Sequence, residues 1–419
     1  MNIKIHRGLD QIGGCITEIS TDTSRVFIDF GQNLPGCGEP TTPEDDEQMV
    51  LAIFSQNKKQ HEAVFYTHGH EDHVGLFEYI PDKVPQYMSE GTMKLLSIKY
   101  GLLSEGASLK VNELRKQNCT SEEYDDAVSS LKKAENKCKL LKRMCIWKRT
   151  APRKVPKSIL VGDIKVTPFF NCHSIYDSHM FLIEADGKRI WHTGDYREHG
   201  YMGKGLIPTL KRYATHIDTL ITEGTMLKRE DKCIHERDVF GKMAHVIRAF
   251  KYVFVLASAT DIERLAAIKE AANAAGKRMY VCSKFMKQTM SFFTEQEGEI
   301  SHGLFAFHPK FYNQRFLNGI KRNGMVMIAG ASQKDRLQEV IQELPQEETL
   351  LIYSSWDGYY RKPEQVKANP LYKEIREMFH NVVDLHTSGH ADRGTIENVI
   401  KTVNPKEVIC IHKEADAEL

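Results

Sequence analysis

The spacing of apolar positions changes along the chain and divides it into regions of different predicted structure. Over residues 1–66, short apolar runs rich in β-branched and aromatic residues are separated by turns. Lys4 to His6, Cys15 to Ile19, Arg25 to Phe30 and Ala63 to Thr67 read as strands, with Gly8, Gly13 and Gly14 after the first and Gly31 after the third. Residues 91–148 shift to a spacing of three to four, with Leu131, Ala134, Cys138, Leu141 and Cys145 on one face, which predicts a charged amphipathic helix. Strands resume near 159–161 and 164–170. Residues 180–184 and 189–195 form a predicted hairpin around Asp186-Gly187, and 219–222 is another strand. From about 224 the pattern becomes helix–strand alternation. Helices are expected at 235–250 and 261–275, and strands at 252–257, 278–282, 324–329 and 350–355. Their apolar residues run continuously, as in a parallel sheet covered on both faces.

Length adds one constraint: 419 residues exceed a single ordinary core, so two domains, or one large domain with an insertion, are expected. With 41% hydrophobic and 27% charged residues the chain reads as soluble and globular. A formal net charge of +1 leaves any polyanion-binding surface to local clusters. One such cluster runs from Lys137 through Lys139, Lys142, Arg143, Lys148, Arg149, Arg153 and Lys154 to Lys157. It is either a solvated helix face or a phosphate-tracking arm. No apolar run is long enough for a secretory signal or a membrane span. Nine cysteines without a Cys-x-x-Cys pair indicate neither a disulfide framework nor a thiolate zinc finger, so a cytoplasmic location is expected.

The chemistry concentrates at 64–75, VFYTHGHEDHVG, directly after a predicted strand. His68 and His70, two apart in extended chain, point the same way and can share one metal, while Asp72 and His73 lie at the next turn and suit a second. His173, Asp195 and Glu223 also follow apolar strands, as do His386, His390 and His412 near the end. Ligand types at so many strand ends predict a converging site. From the residues alone, His68, His70 and His173 take one ion, and Asp72, His73 and His412 the other, with Asp195 as bridge. Asp29, at a strand end where an unpaired carboxylate would be costly, either caps a turn or orients the ligands from behind. Two ions so held can share a hydroxide for in-line attack on a phosphoryl group. Zinc is the usual ion for such a set, and manganese is also accepted.

The HGHEDH run, His173 in NCHS and Asp195 in HTGD resemble the metallo-β-lactamase fold, an α/β class in which an αββα sandwich carries two zinc ions. Glu223 in ITEGT, His390 in HTSGH and His412 in VICIHKE resemble its β-CASP nuclease branch. The GGC, ASATDIERL and HTSGHAD stretches are most similar to ribonuclease J-like RNA-processing enzymes. The resemblance spans about residues 8–413. It implies a lactamase-type domain, 1–222 plus 375–419, carrying a charged helical insertion at about 104–157. It also implies an inserted β-CASP domain at 223–374, with RNA, single-stranded and cleaved at its phosphodiester bonds, between the two. Asp72, Asp195, Glu223 and His390 would be catalytic, Glu223 orienting His390 toward the scissile phosphate. His386, Ser388, Ser354, Ser355 and Lys413 would contact substrate. In this branch a histidine at the position of His412 goes with RNA, which sets a DNA nuclease of the same fold second. A non-catalytic RNA-binding subunit of a processing complex is third, and predicts broken ligand motifs. Exonuclease or endonuclease action and homo-oligomer formation are left open. The chain also departs from the family: Lys413 replaces a glycine, and SSWDGYY replaces a Ser-rich loop that helps bind a 5′ phosphate. There Trp356 and Tyr359 can stack a base.

Overall fold

The computed structural model describes the chain apart from residues 118–119, 149, 151–153, 230–232 and 301–302 and the side chains of 298–300. Arg149 and Arg153 of the basic run therefore lie outside the described residues.

Two six-stranded sheets face each other. The first runs in the order Asn2–Arg7, Ile16–Ser20, Ser24–Ile28, His61–Phe65, Gln86–Ser89 and Cys145–Trp147. The second runs Glu407–Ile411, Thr219–Glu223, Lys188–His192, Ser178–Ala185, Ile164–Asn171 and Ile159–Val161. Period-2 alternation turns one side of each strand inward. Val26, Ile28, Phe65, Phe181, Ile183, Ile190 and Ile221 thus form the layer between the sheets. The opposite faces are covered by helices. Pro43–Ser55 and Glu90–Leu114 pack on Phe27 and Val64, whereas Leu206–Tyr213 and Arg393–Val403 pack on Trp191 and Leu220. This is the expected αββα sandwich.

The third sheet, Lys310–Phe311, Met279–Val281, Met325–Ala329, Tyr252–Leu256, Thr349–Tyr353 and Asn381–Asp384, is parallel throughout. Val253, Val255, Val326 and Ile328 enter one core, and Phe254, Leu256, Met325 and Met327 the other. That accounts for the unbroken apolar runs in the sequence. The strand Asn381–Asp384 lies beyond residue 374, where the second domain was expected to end. Its sequence, NVVD, is short and half polar, which suits the edge it occupies. The chain leaves the sandwich at Glu223 and re-enters beside it, because Thr219–Glu223 and Glu407–Ile411 pair in parallel with Glu223 opposite Ile411.

The charged region is a pair of helices, Glu90–Leu114 and Ser121–Leu141, and the second begins with a capping box at Thr120 and Glu123. The amphipathic spacing carried a single helix through Cys145, but the helix stops at Leu141. Cys145 belongs instead to an edge strand pairing with Tyr87, so backbone pairing overrides periodicity here. Within the basic run, Lys137 is spent internally. Its ammonium lies 3.0 Å from Glu78 and 5.1 Å from the Tyr100 ring. Among the described residues no helix is long and apolar enough to cross a membrane.

Candidate metal centre

The ligand-type side chains converge at one edge of the sandwich, where several strands end. His68 and His73 follow His61–Phe65, His173 follows Ile164–Asn171, Asp195 follows Lys188–His192, and His412 follows Glu407–Ile411. His68 Nε2 lies 3.1 Å and His173 Nε2 3.2 Å from His70 Nδ1. On the other side, His412 Nε2 is 3.1 Å from Asp72 Oδ2, and His73 Nε2 is 3.1 Å from Asp195 Oδ2. Asp195 Oδ2 sits between the groups, 3.9 Å from His68 Nε2, 3.7 Å from His173 Nε2 and 3.6 Å from His412 Nε2. The predicted ligands thus come together in two sets sharing one carboxylate oxygen.

The ring protons are committed elsewhere. His68 Nδ1 meets Thr67 Oγ1 at 2.9 Å, and that hydroxyl donates to Asp29 Oδ2 at 2.8 Å. His173 Nδ1 donates to the Gly389 carbonyl at 2.6 Å. His73 Nδ1 is 2.8 Å from Asp29 Oδ2, and His412 Nδ1 is 2.7 Å from Thr225 Oγ1, which donates to Glu223 Oε2 at 2.6 Å. Each pairing puts the ring proton on Nδ1 and turns Nε2 inward, where a neutral ring offers its lone pair. Converging lone pairs repel unless something positive lies among them. His73 Nε2 is buried, and its 3.1 Å approach to Asp195 Oδ2 lacks hydrogen-bond geometry, which is a second sign that these residues fit a cation.

The electrostatics agree. Burial, with its histidine neighbours, holds His68 and His173 well below the usual imidazole range, and burial brings His70 down to about 4. These rings are neutral, as ligands must be. Burial alone would raise Asp72 and Asp195, but His73 and His412 outweigh it and hold both carboxyls low. Burial opposes a charge on His73, yet Asp195, Asp72 and Asp29 draw a proton onto it. A divalent ion answers the same field.

His390 Nδ1 is 2.9 Å from Glu223 Oε2, which leaves Nε2 as the ring's other nitrogen. Burial lowers its basicity, but Glu223 and Asp195 together raise it. Glu223 is anchored further by the Tyr196 amide at 3.0 Å. His390 opens on a cleft of about 1580 Å³ between the sandwich and the third sheet. His386, Ser388, Ser354 and Ser355 also line it. Ser354, however, is buried with its hydroxyl fully used: it accepts from Arg264 at 2.7 Å and donates to the Leu385 carbonyl at 2.7 Å. His386 Nδ1 likewise faces Arg264 at 3.1 Å, and burial lowers the ring to about 3. Lys413 Nζ lies 3.7 Å from Asp10 at the cleft margin.

Sequence reading missed what holds the His386–His390 loop. Arg197, fully buried, contacts Glu236 at 3.2 Å, Asp261 at 3.0 Å and Glu263 at 2.8 Å. Arg264 reaches Glu236 at 2.9 Å and the Thr387 carbonyl at 3.2 Å, while His199 Nε2 reaches the Ser388 carbonyl at 2.7 Å. A charged pair of positions far apart in sequence leaves no local signature. Thr67 and Thr225 were missed because a lone threonine carries no signal.

The facing sheets, flanking helices and histidine–aspartate cluster at their common edge define a metallo-β-lactamase-fold protein. No family model matches the chain. Ribonuclease J of Sinorhizobium meliloti is 20% identical over 410 residues, covering 93% of this chain and 64% of the relative. Ribonuclease J of Helicobacter pylori is 20% identical over 97% of this chain and 55% of its own length. An RNase J-like protein of Methanocaldococcus jannaschii is 26% identical over 53% of this chain and 42% of its own. The chain thus spans less than two thirds of these relatives. A crystal structure of an Enterococcus faecalis protein of unknown function superposes with a TM-score of 0.68 at 17% identity, covering 98% of this chain and 94% of that one. These similarities support a ribonuclease J-like β-CASP assignment.

Proposed function

We propose that the protein is a metal-dependent ribonuclease that hydrolyses phosphodiester bonds of single-stranded RNA laid in the cleft between the two lobes. The lobes are taken as 1–222 with 385–419, and 223–384. The observation that carries this reading is the convergence of two ligand sets on the buried Asp195, 3.7 Å from the His390 ring that, with His70 and Asp72, lines the cleft. His68, His70 and His173 would hold one ion, and Asp72, His73 and His412 the other, with Asp195 touching both. Zinc or manganese bound there supplies an acidified water and positive charge for a phosphoryl group.

The chain's own groups do the rest. Asp29, Thr67 and Thr225 hold ligand rings in one tautomer. Glu223 orients His390 and favours its protonated form, so that His390 Nε2 can give a proton to the departing ribose oxygen. Arg197 and Arg264 hold the His386–His390 loop by donating to the Ser388 and Thr387 carbonyls. The intact ligand motifs argue against the non-catalytic reading, and His412 argues for RNA over DNA.

The test is cleavage of end-labelled single-stranded RNA and matched DNA, with either 5′ end, after chelation and after return of zinc or manganese. Metal-dependent RNA cleavage that vanishes with Asp72→Ala plus His73→Ala supports the reading. Tight RNA binding without cleavage favours the scaffold, and cleavage of DNA alone favours the DNA nuclease.

A further inference from the structure

One wall of the cleft, residues 356–372, is more aromatic and more cationic than phosphodiester cleavage requires. Trp356, Tyr359 and Tyr372 line it with Arg229 and Lys362. Tyr359 stacks on Tyr372 with centroids 4.5 Å apart and planes 18° from parallel, and Trp356 meets the Tyr359 ring at 5.4 Å. The Arg229 guanidinium lies 5.4 Å and the Lys362 ammonium 5.2 Å from the Trp356 ring. The indole is held in place from behind. A Cβ on Gly358 would fall 2.3 Å from it, so it rests on bare backbone, and Tyr353 Oη donates to the Trp356 carbonyl at 3.2 Å. The loop follows the C-terminal end of Thr349–Tyr353, the side on which open parallel sheets present ligand-binding loops. Trp147 and Trp191 are buried in the sandwich at 8% and 0% exposure, whereas Trp356 is only partly covered.

We propose that Trp356, backed by Tyr359 and flanked by Arg229 and Lys362, is a nucleobase-stacking subsite that grips one base of the bound strand. This rests on the RNA reading above and deepens it. Every base offers a π face, so the subsite is indifferent to sequence, while the two cations meet the phosphates on either side. Held at one base, the strand is registered over the metal centre by a fixed number of nucleotides. Stacking of this kind contributes on the order of 10- to 100-fold in affinity per base.

The test uses the partly exposed indole as its own reporter. A single-stranded RNA oligonucleotide is titrated into the chelator-treated full chain, with binding read by anisotropy and stacking by tryptophan fluorescence. A set of oligonucleotides carrying one abasic ribose, moved position by position, is run alongside. The expected result is quenching on binding and an affinity loss of about 10-fold or more at one abasic position. Both should disappear in Trp356→Ala and persist largely in the abasic profile of Trp356→Phe. RNA that binds without quenching, or an abasic penalty unchanged in Trp356→Ala, overturns the subsite and leaves the ribonuclease reading intact. Absence of any RNA binding overturns both.

Discussion

Replacing Asp29 by Asn separates the orientation of a ligand from the stability of the fold. Asp29 is fully buried, sits at φ +64°, and accepts from the Thr67 amide at 2.7 Å, the Thr67 hydroxyl at 2.8 Å and His73 Nδ1 at 2.8 Å. Asparagine tolerates the left-handed backbone and keeps one oxygen for the Thr67 amide. Its NH₂, however, replaces the oxygen that faced His73. His73 must then accept at Nδ1 and carry its proton on Nε2, which blocks the lone pair turned toward Asp195. Outer-shell partners of metal-bound histidine are worth about 10- to 100-fold in metal affinity, and a forced tautomer places this case at the upper end. The metal-free protein should lose about 1.5–3 kcal/mol, the value of a hydrogen bond to a charged group. Asp29→Ala should lose more, because the donors are orphaned and alanine at positive φ adds about 1–2 kcal/mol. Competition with a chromophoric chelator measures the first quantity and denaturant melts the second. Wild-type affinity for both ions in a folded Asp29→Asn protein would refute this account of His73.

Other consequences follow from the same contacts. Arg197→Met leaves Glu236, Asp261 and Glu263 sharing one fewer cation in a dry site, and should destabilise by about 3–5 kcal/mol in urea melts; a loss below 1 kcal/mol would contradict it. Ser354→Ala should lower the melting temperature but leave KM for RNA nearly unchanged, because its hydroxyl is spent on Arg264 and Leu385. Metal-free protein should lose stability as pH falls from about 6.5 to about 4. Among the described residues, His68, His70, His173, His192, His199 and His386 are held below the ordinary value of 6.5 in the fold, and only His73 and His390 above it. In that window the unfolded chain takes up protons that the six lowered rings refuse, so unfolding is favoured; His73 and His390 work in the opposite sense. Melting temperatures that stay flat or rise across the window would count against these assignments.

The sequence exposed the site because each candidate ligand follows an apolar strand, and the strands that carry them, from both facing sheets, end at one edge of the sandwich. His68, His173, Asp195 and His412 could be read for that reason, as could the two-sided third sheet from its unbroken apolar runs. What stayed hidden depends on distant pairing. Arg197 and Arg264 resemble surface charges until Glu236 and Glu263 are brought beside them. The end of the second helix was misread because Cys145 keeps the helical spacing by coincidence while its backbone joins the sheet. The edge strand Asn381–Asp384 carries too few apolar residues to announce itself. Ser354 and His386 were correctly placed at strand ends, but only the structure shows Arg264 consuming their polar atoms.

The chemistry of the newly formed ends tests the central claim most directly. Single-stranded RNA cleaved in ¹⁸O-enriched water, with zinc or manganese restored, should yield a 5′ phosphate carrying one solvent oxygen and a 3′ hydroxyl. Glu223→Gln should slow this without altering the products. A 2′,3′-cyclic phosphate, or label absent from the new 5′ phosphate, would mean that the ribose attacks and that water activated at Asp195 does not.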